Sequence, residues 1–183
     1  LSEFVGDIDE ARRILHDARG EMKGEWKVFL ECILLELRAN RTRAAIAEAE
    51  EALKVHKGTG RLWAVLIHLK HVDGEVEQHR VFRQALREVP KSGEVWCEGA
   101  RLRMNPLSLR TFDLESAKRF LDFAIQFTPQ YGDSFIEYIR YAVSLSPPPP
   151  PPPLGRLPYS TNTLNISGCS FLAKGTRERL RMR

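Results

Sequence analysis

The chain has 183 residues, of which 43% are hydrophobic and 28% charged, with a formal net charge of +4. That apolar content supports one packed domain plus an extra segment, and the longest apolar run, around Val28 to Leu37, is broken by Glu31 and Glu36, so no membrane span is expected. Six basic residues and one acid lie beyond residue 146, leaving 22 basic and 23 acidic before it; a neutral body is not a strong phosphate binder, because nonspecific nucleic-acid affinity needs clustered cations.

In chain order, Asp7 with Glu10 reads as a capping box opening a helix whose stripe is Ala11, Ile14, Leu15 and Ala18. Phe29 begins an amphipathic segment with Ile33 and Leu35. Thr42 is a good N-cap for the next helix, which carries Ala45, Ala49 and Ala52 on one stripe. Trp63 starts a segment with Ile67 and Leu69. After an Asp73-Gly74 turn come Val81, Phe82 and Ala85 on a helix ended by Pro90. Trp96, Ala100 and Leu102 form the next stripe, followed by an Asn105-Pro106-Ser108 loop. Asp113 then caps a helix with Ala117, Phe120, Leu121 and Ala124, which Pro129 ends. Phe135, Ile139 and Tyr141 lie on a last helix at about 131–145.

These segments repeat. Ala18, Ala52, Ala85 and Ala124 are 34, 33 and 39 residues apart, and an aromatic follows each by eleven residues: Phe29, Trp63, Trp96 and Phe135. Six residues before each aromatic stand Lys23, Lys57, Pro90 and Pro129, and Gly58, Gly60, Gly93 and Gly132 loosen the turns between. Two helical patterns per unit of this period mean an all-α, right-handed superhelix of about eight helices over residues 7–145, with each ring filling a groove left by alanine. The array opens on a second helix and closes on a first, so it is expected to be a window from a longer array. Ile14 and Leu15 at one end, and Ile136, Ile139 and Tyr141 at the other, then lack a successor to pack on.

Residues 146–183 form a second region, a proline-rich linker and disordered basic tail. Pro147 to Pro153 favour a polyproline II spacer or a docking motif for a proline-binding groove. Residues 154–183 carry no sustained periodicity.

No enzyme is expected, because no nucleophile has a base and an orienting group in a local signature. His68, His71 and His79 lack a fourth ligand at matching spacing and read as surface histidines. Cys32, Cys97 and Cys169 read as buried free thiols. Asn40-Arg41-Thr42 and Asn165-Ile166-Ser167 match glycosylation acceptors, with nothing to suggest a secretory route. No cofactor, metal or small-molecule substrate is called for. Arg12, Arg43, Arg80, Arg83 and Arg119 recur on second helices, either as a stripe for acidic partners or RNA, or as a solvated face paired with neighbouring acids.

Segments such as VFLECILLE, LWAVLIHLK, ALREVPKSGEVWCEGARLR and AIQFTPQYGDSFIEY resemble HAT (half-a-TPR) repeats, which pair an aromatic in the first helix with alanine and proline in the second. The family's glutamate seven residues after the aromatic is present only as Glu36; Lys70, Arg103 and Ala142 replace it. Glutamate two residues after the aromatic recurs as Glu31, Glu98 and Glu137. The segment ALREVPKSGEVWCEGARLRMNP is most similar to the bridging splicing factors of the tri-snRNP, with crooked-neck-type factors next. The resemblance implies a non-enzymatic scaffold of an RNA-processing complex, most of all pre-mRNA splicing. Its partners would be other proteins of a ribonucleoprotein, with RNA secondary and no membrane, and its address nuclear (cytoplasmic or organellar otherwise). The alternative is a generic TPR-like adaptor of a chaperone or trafficking complex.

Overall fold

The structure, a computed structural model, describes residues 7–108 and 110–146. The expectations for the proline run, for Cys169 and for the basic tail therefore lie outside the described residues. Among the described residues there are eight α-helices and no strand: α1 (Ile8–Glu21), α2 (Trp26–Arg38), α3 (Thr42–Val55), α4 (Gly60–Leu69), α5 (Glu75–Glu88), α6 (Gly93–Arg103), α7 (Leu114–Phe127) and α8 (Gly132–Leu145), with a 3-10 turn, Lys70–Asp73, between α4 and α5. The all-α solenoid expected from the repeats is the architecture observed.

All four second helices (α1, α3, α5, α7) are 14 residues long and in the same register. First helices begin three residues before the aromatic, at Trp26, Gly60, Gly93 and Gly132, rather than at the ring itself. Each helix packs on both chain neighbours, and successive first helices also touch directly, α4 on α6 and α6 on α8. Second helices meet one another far less, through contacts such as Phe82 on Phe120, so the first-helix side is the inside of the curve.

The termini differ in detail from the sequence expectation. Asp7 accepts from the Glu10 amide at 2.9 Å, but the Glu10 carboxylate turns to Arg13, so the box is half made. Thr42 is the first helical residue of α3, and Arg41 caps it without a side-chain bond. Asn40 explains this: at φ 57 it closes α2, with its amide on Leu37 and the Arg41 amide on Glu36, a Schellman turn that fixes where α3 begins. Asp113 caps α7 by accepting from the Ser116 amide at 3.0 Å.

The core follows the frame. Ala52, Ala85 and Ala124 are fully buried, as are Ile33, Ile67 and Ala100 four residues after the rings. Phe29 and Trp63 are buried, and Trp96 and Ala18 half-buried. The indole N–H of Trp63 donates to the Lys57 carbonyl and that of Trp96 to the Pro90 carbonyl, both at 2.8 Å, which gives the six-residue spacing a physical reason. Phe135 departs from its expected core role: it is 46% exposed, because among the described residues no second helix follows α8 to cover it. Tyr141 departs the other way, buried at the joint of α6, α7 and α8 beside Ala100, Leu121 and Tyr138.

Candidate functional site on the first-helix face

Two positions on each first helix, two and five residues after the aromatic, point along the inner face one turn apart. On α6 they are Glu98 and Arg101, and on α8 Glu137 and Arg140. Side-by-side packing of these helices puts Arg101 between two buried carboxylates. Arg101 Nε donates to Glu137 Oε1 at 2.9 Å, one of its terminal nitrogens donates to Glu98, and the other lies 3.5 Å from Asp133. Arg140 reaches the same Glu137 oxygen at 2.8 Å, and His68 on α4 stands 4.0 Å from Glu98.

Burial pushes the Glu98 carboxyl up to about 7, against the pull of Arg101. Burial also opposes the charge on Arg101, but Glu98 and then Glu137 hold it protonated, with its pKa raised. Desolvating such a cluster costs much of what the pairing returns, so its effect is to fix the register of α6 on α8 more than to add stability. Toward the turns, Arg61 of α4 lies over the Tyr131 ring at 5.0 Å and 3.9 Å from Asp133, a contact between units two repeats apart that tightens the inner curve.

Above this network lies a groove of about 640 Å³. Leu102, Ile139 and Val143 give it an apolar wall, and His68 and Arg140, about two-thirds exposed, a polar rim whose cation is Arg140, since burial and Arg101 lower the His68 pKa and leave its ring neutral. A buried carboxylate–arginine network, the exposed Arg140 and an aliphatic wall make a surface suited to a partner side chain. Arg101 and Arg140 were missed in the sequence; the recurring Glu98 and Glu137 were the available signal, but their joint use of one arginine depends on lateral packing between helices 36 residues apart in sequence.

The predicted site residues are distributed as follows. Pro90 and Pro129 stand just past the ends of α5 and α7, both exposed. Of the arginines on second helices, Arg12 is drawn inward to Glu36, Nε to Oε1 2.5 Å. Arg43 pairs with Asp73 across helices, Arg80 with Glu77 at 2.6 Å and Arg119 with Glu115 at 3.9 Å. Arg83 is exposed with no ion pair among the described residues. His68 and His71 have ring centroids 5.9 Å apart, while His79 faces Glu75 at 3.7 Å. Among the described residues no histidine, cysteine and carboxylate group has an arrangement to hold a metal, and no helix is long and apolar enough to cross a membrane. Cys97 is buried, which pushes its thiol up to about 12, and Cys32 is half-buried.

Helix pairs in constant register, curved around a grooved inner face, define a helical-repeat protein of the TPR-like class. More particularly, the chain belongs to the family described as PRP6, TPR-like domain, whose model matches residues 1–157. A TPR-containing protein of Dictyostelium discoideum is 58% identical over 131 residues, 72% of this chain and 10% of that protein, so the chain spans about a tenth of the relative's length. A crystal structure of MamA superposes with a TM-score of 0.50 over 78% of this chain and 91% of that one at 11% identity, a likeness of fold.

Proposed function

We propose that this chain is a protein-interaction scaffold of an RNA-processing ribonucleoprotein, working in pre-mRNA splicing and in the nucleus. Membership of the PRP6 TPR-like domain family carries the reading, and the tri-snRNP-like repeat around Trp96 points the same way. The inner groove supports a scaffolding role, because it offers a partner an aliphatic wall and a polar rim with one exposed cation, Arg140, without demanding chemistry. Ordered neighbours on three helices hold that surface rigid, which lowers the entropy lost on binding. TPR-like repeats of this kind mediate protein–protein interactions and are generally non-enzymatic.

Affinity purification of the full chain from nuclear extract, followed by mass spectrometry, tests the reading. Splicing proteins are the expected partners, and they should be lost when Ile139→Asp and Val143→Asp alter the exposed groove wall without touching the core. A partner set made of chaperones or coat proteins would overturn it in favour of a generic adaptor.

A further inference from the structure

Repeat equivalence exposes one place where the third unit departs from the second. Around Trp63, a groove of about 260 Å³ is lined by Glu50 and Lys54 of α3 and by Arg80, Gln84 and Glu88 of α5. The same positions around Trp96 are Arg83 and Arg87 on α5, and Arg119, Phe123 and Phe127 on α7. Both acids have gone and two rings have arrived. At the positions of Phe123 and Phe127 the other second helices carry Asp17, Glu51 and Gln84, and Glu21, Val55 and Glu88.

The rings form a connected ladder. Trp96 lies 5.0 Å from Phe120 and 5.0 Å from Phe123, and Phe123 lies 6.1 Å from a nearly parallel Phe127. Gly99 makes room for it, since a Cβ there would stand 2.6 Å from Phe82 and 3.2 Å from Phe120. Phe123 is 39% exposed and Phe127 36%, so their faces are not consumed by the core. Arg83 and Arg87 are exposed and have no ion pair among the described residues, and Arg119 has a hydrogen bond to Ser116 at 3.3 Å and a long contact to an exposed Glu115 at 3.9 Å. Unpaired surface arginines and the exposed parts of these phenyl rings add little to folding. Side by side, they match a ligand with flat apolar faces and regularly spaced negative charge.

We propose that the groove between α5 and α7 binds single-stranded nucleic acid, with bases stacked on Trp96, Phe123 and Phe127 and phosphates held by Arg83, Arg87 and Arg119. A duplex hides its base faces, so the site reads single strands, and stacking makes it tolerant of sequence. An acidic peptide uses the arginines but leaves the ladder without a role. This activity goes beyond the scaffold reading and does not depend on it.

The test is fluorescence anisotropy of the full chain with short fluorescein-labelled uridine RNA and thymidine DNA oligonucleotides at several salt concentrations. Phe123→Gln with Phe127→Glu gives α7 the residues that α5 bears at the same positions, so the helices should stay folded, as a thermal melt by circular dichroism would verify. Its Kd should rise by about tenfold or more. Arg83→Gln with Arg87→Gln should weaken binding and reduce the slope of log K against log salt by about 1.4, roughly 0.7 per phosphate contact. Stronger binding of one oligonucleotide identifies which strand the site takes. The proposal is overturned if the folded variants bind as the wild type does while replacing Lys174, Arg177, Arg179, Arg181 and Arg183 with glutamine abolishes binding, which would assign the affinity to the tail. It is equally overturned if a glutamate-rich peptide displaces the RNA and depends on the arginines but not on the rings. Neither failure alters which proteins co-purify, so the two readings fail separately.

Discussion

Trp63 and Phe135 occupy the same position of the same repeat, yet one is 4% exposed and the other 46%. The same holds one turn further on, where Ile67 is fully buried and Ile139 is 65% exposed. Nothing in the residues themselves accounts for the contrast: both rings are large and apolar, and both are the fourth residue of an amphipathic helix. The difference is the neighbour. Trp63 lies between α3 and α5, whereas α8 packs on α6 and α7 and has no further helix on its other face among the described residues. In a stacked array, burial belongs to the joint between units and not to the unit alone.

The largest expected effect tests that contrast directly. Trp63→Ala should destabilise by about 3–5 kcal/mol, through the cavity and the lost bond to Lys57, while Phe135→Ala costs less than about 1 kcal/mol. Chemical denaturation of the two variants gives the comparison; equal losses would mean that α8 is covered in solution.

A pH effect comes next, confined to the α6–α8 joint. Burial raises Glu98 to about 7 from an ordinary 4.5, so its contribution is whole below the unfolded value and is lost as pH rises through about 7. Wild-type stability relative to Glu98→Gln should therefore fall between pH 4.5 and 7, by up to about 3 kcal/mol. Acids such as Asp73, Glu75 and Asp113, lowered by hydrogen bonds from Arg43, Thr111 and Ser116, act with the opposite sign and lose their contribution only at more acid pH. Thermal melts across this range, with a flat difference between the two proteins, would remove the buried-carboxylate account.

Glycine substitutions sharpen the same comparison at a smaller scale. A Cβ on Gly93 would collide with the Ala124 carbonyl and stand 2.7 Å from the Thr128 Cβ, but one on Gly132 meets nothing within 4 Å. Gly93→Ala should cost roughly 1–3 kcal/mol, and Gly132→Ala should fall within about 0.5 kcal/mol of wild type. The least expected change in free energy is local: hydrogen exchange should be slowest across residues 42–127 and fastest beyond 131, and uniform protection to residue 145 would show that something caps α8.

Much of this architecture was legible because periodicity is local. Alanines and rings at fixed spacing named the helices and their inward faces, and the prolines marked where α5 and α7 stop. Helix starts were less legible: Thr42 is a good cap by type, yet Asn40 set the boundary through its left-handed backbone. The candidate groove was legible only in part. Glu98 and Glu137 recur visibly, but Arg101 serves both only because α6 lies against α8. The five arginines of the second helices read either as one stripe or as a solvated face paired with neighbouring acids, and the structure sends Arg12 inward to Glu36 and Arg43 across to Asp73.

The sequence by itself determined the class of this protein: helix pairs in constant register, a neutral body, and an alanine eleven residues before an aromatic in every unit. Those features depend on which side chains fall on one face of a helix, which spacing fixes. Tertiary structure alone decided which carboxylates share Arg101, that Arg61 reaches Tyr131 two units away, and that Phe123 and Phe127 extend the Trp96 ring into an open ladder. Each of these joins residues that are distant in the chain, and distance in the chain becomes contact only when the helices stack and curve.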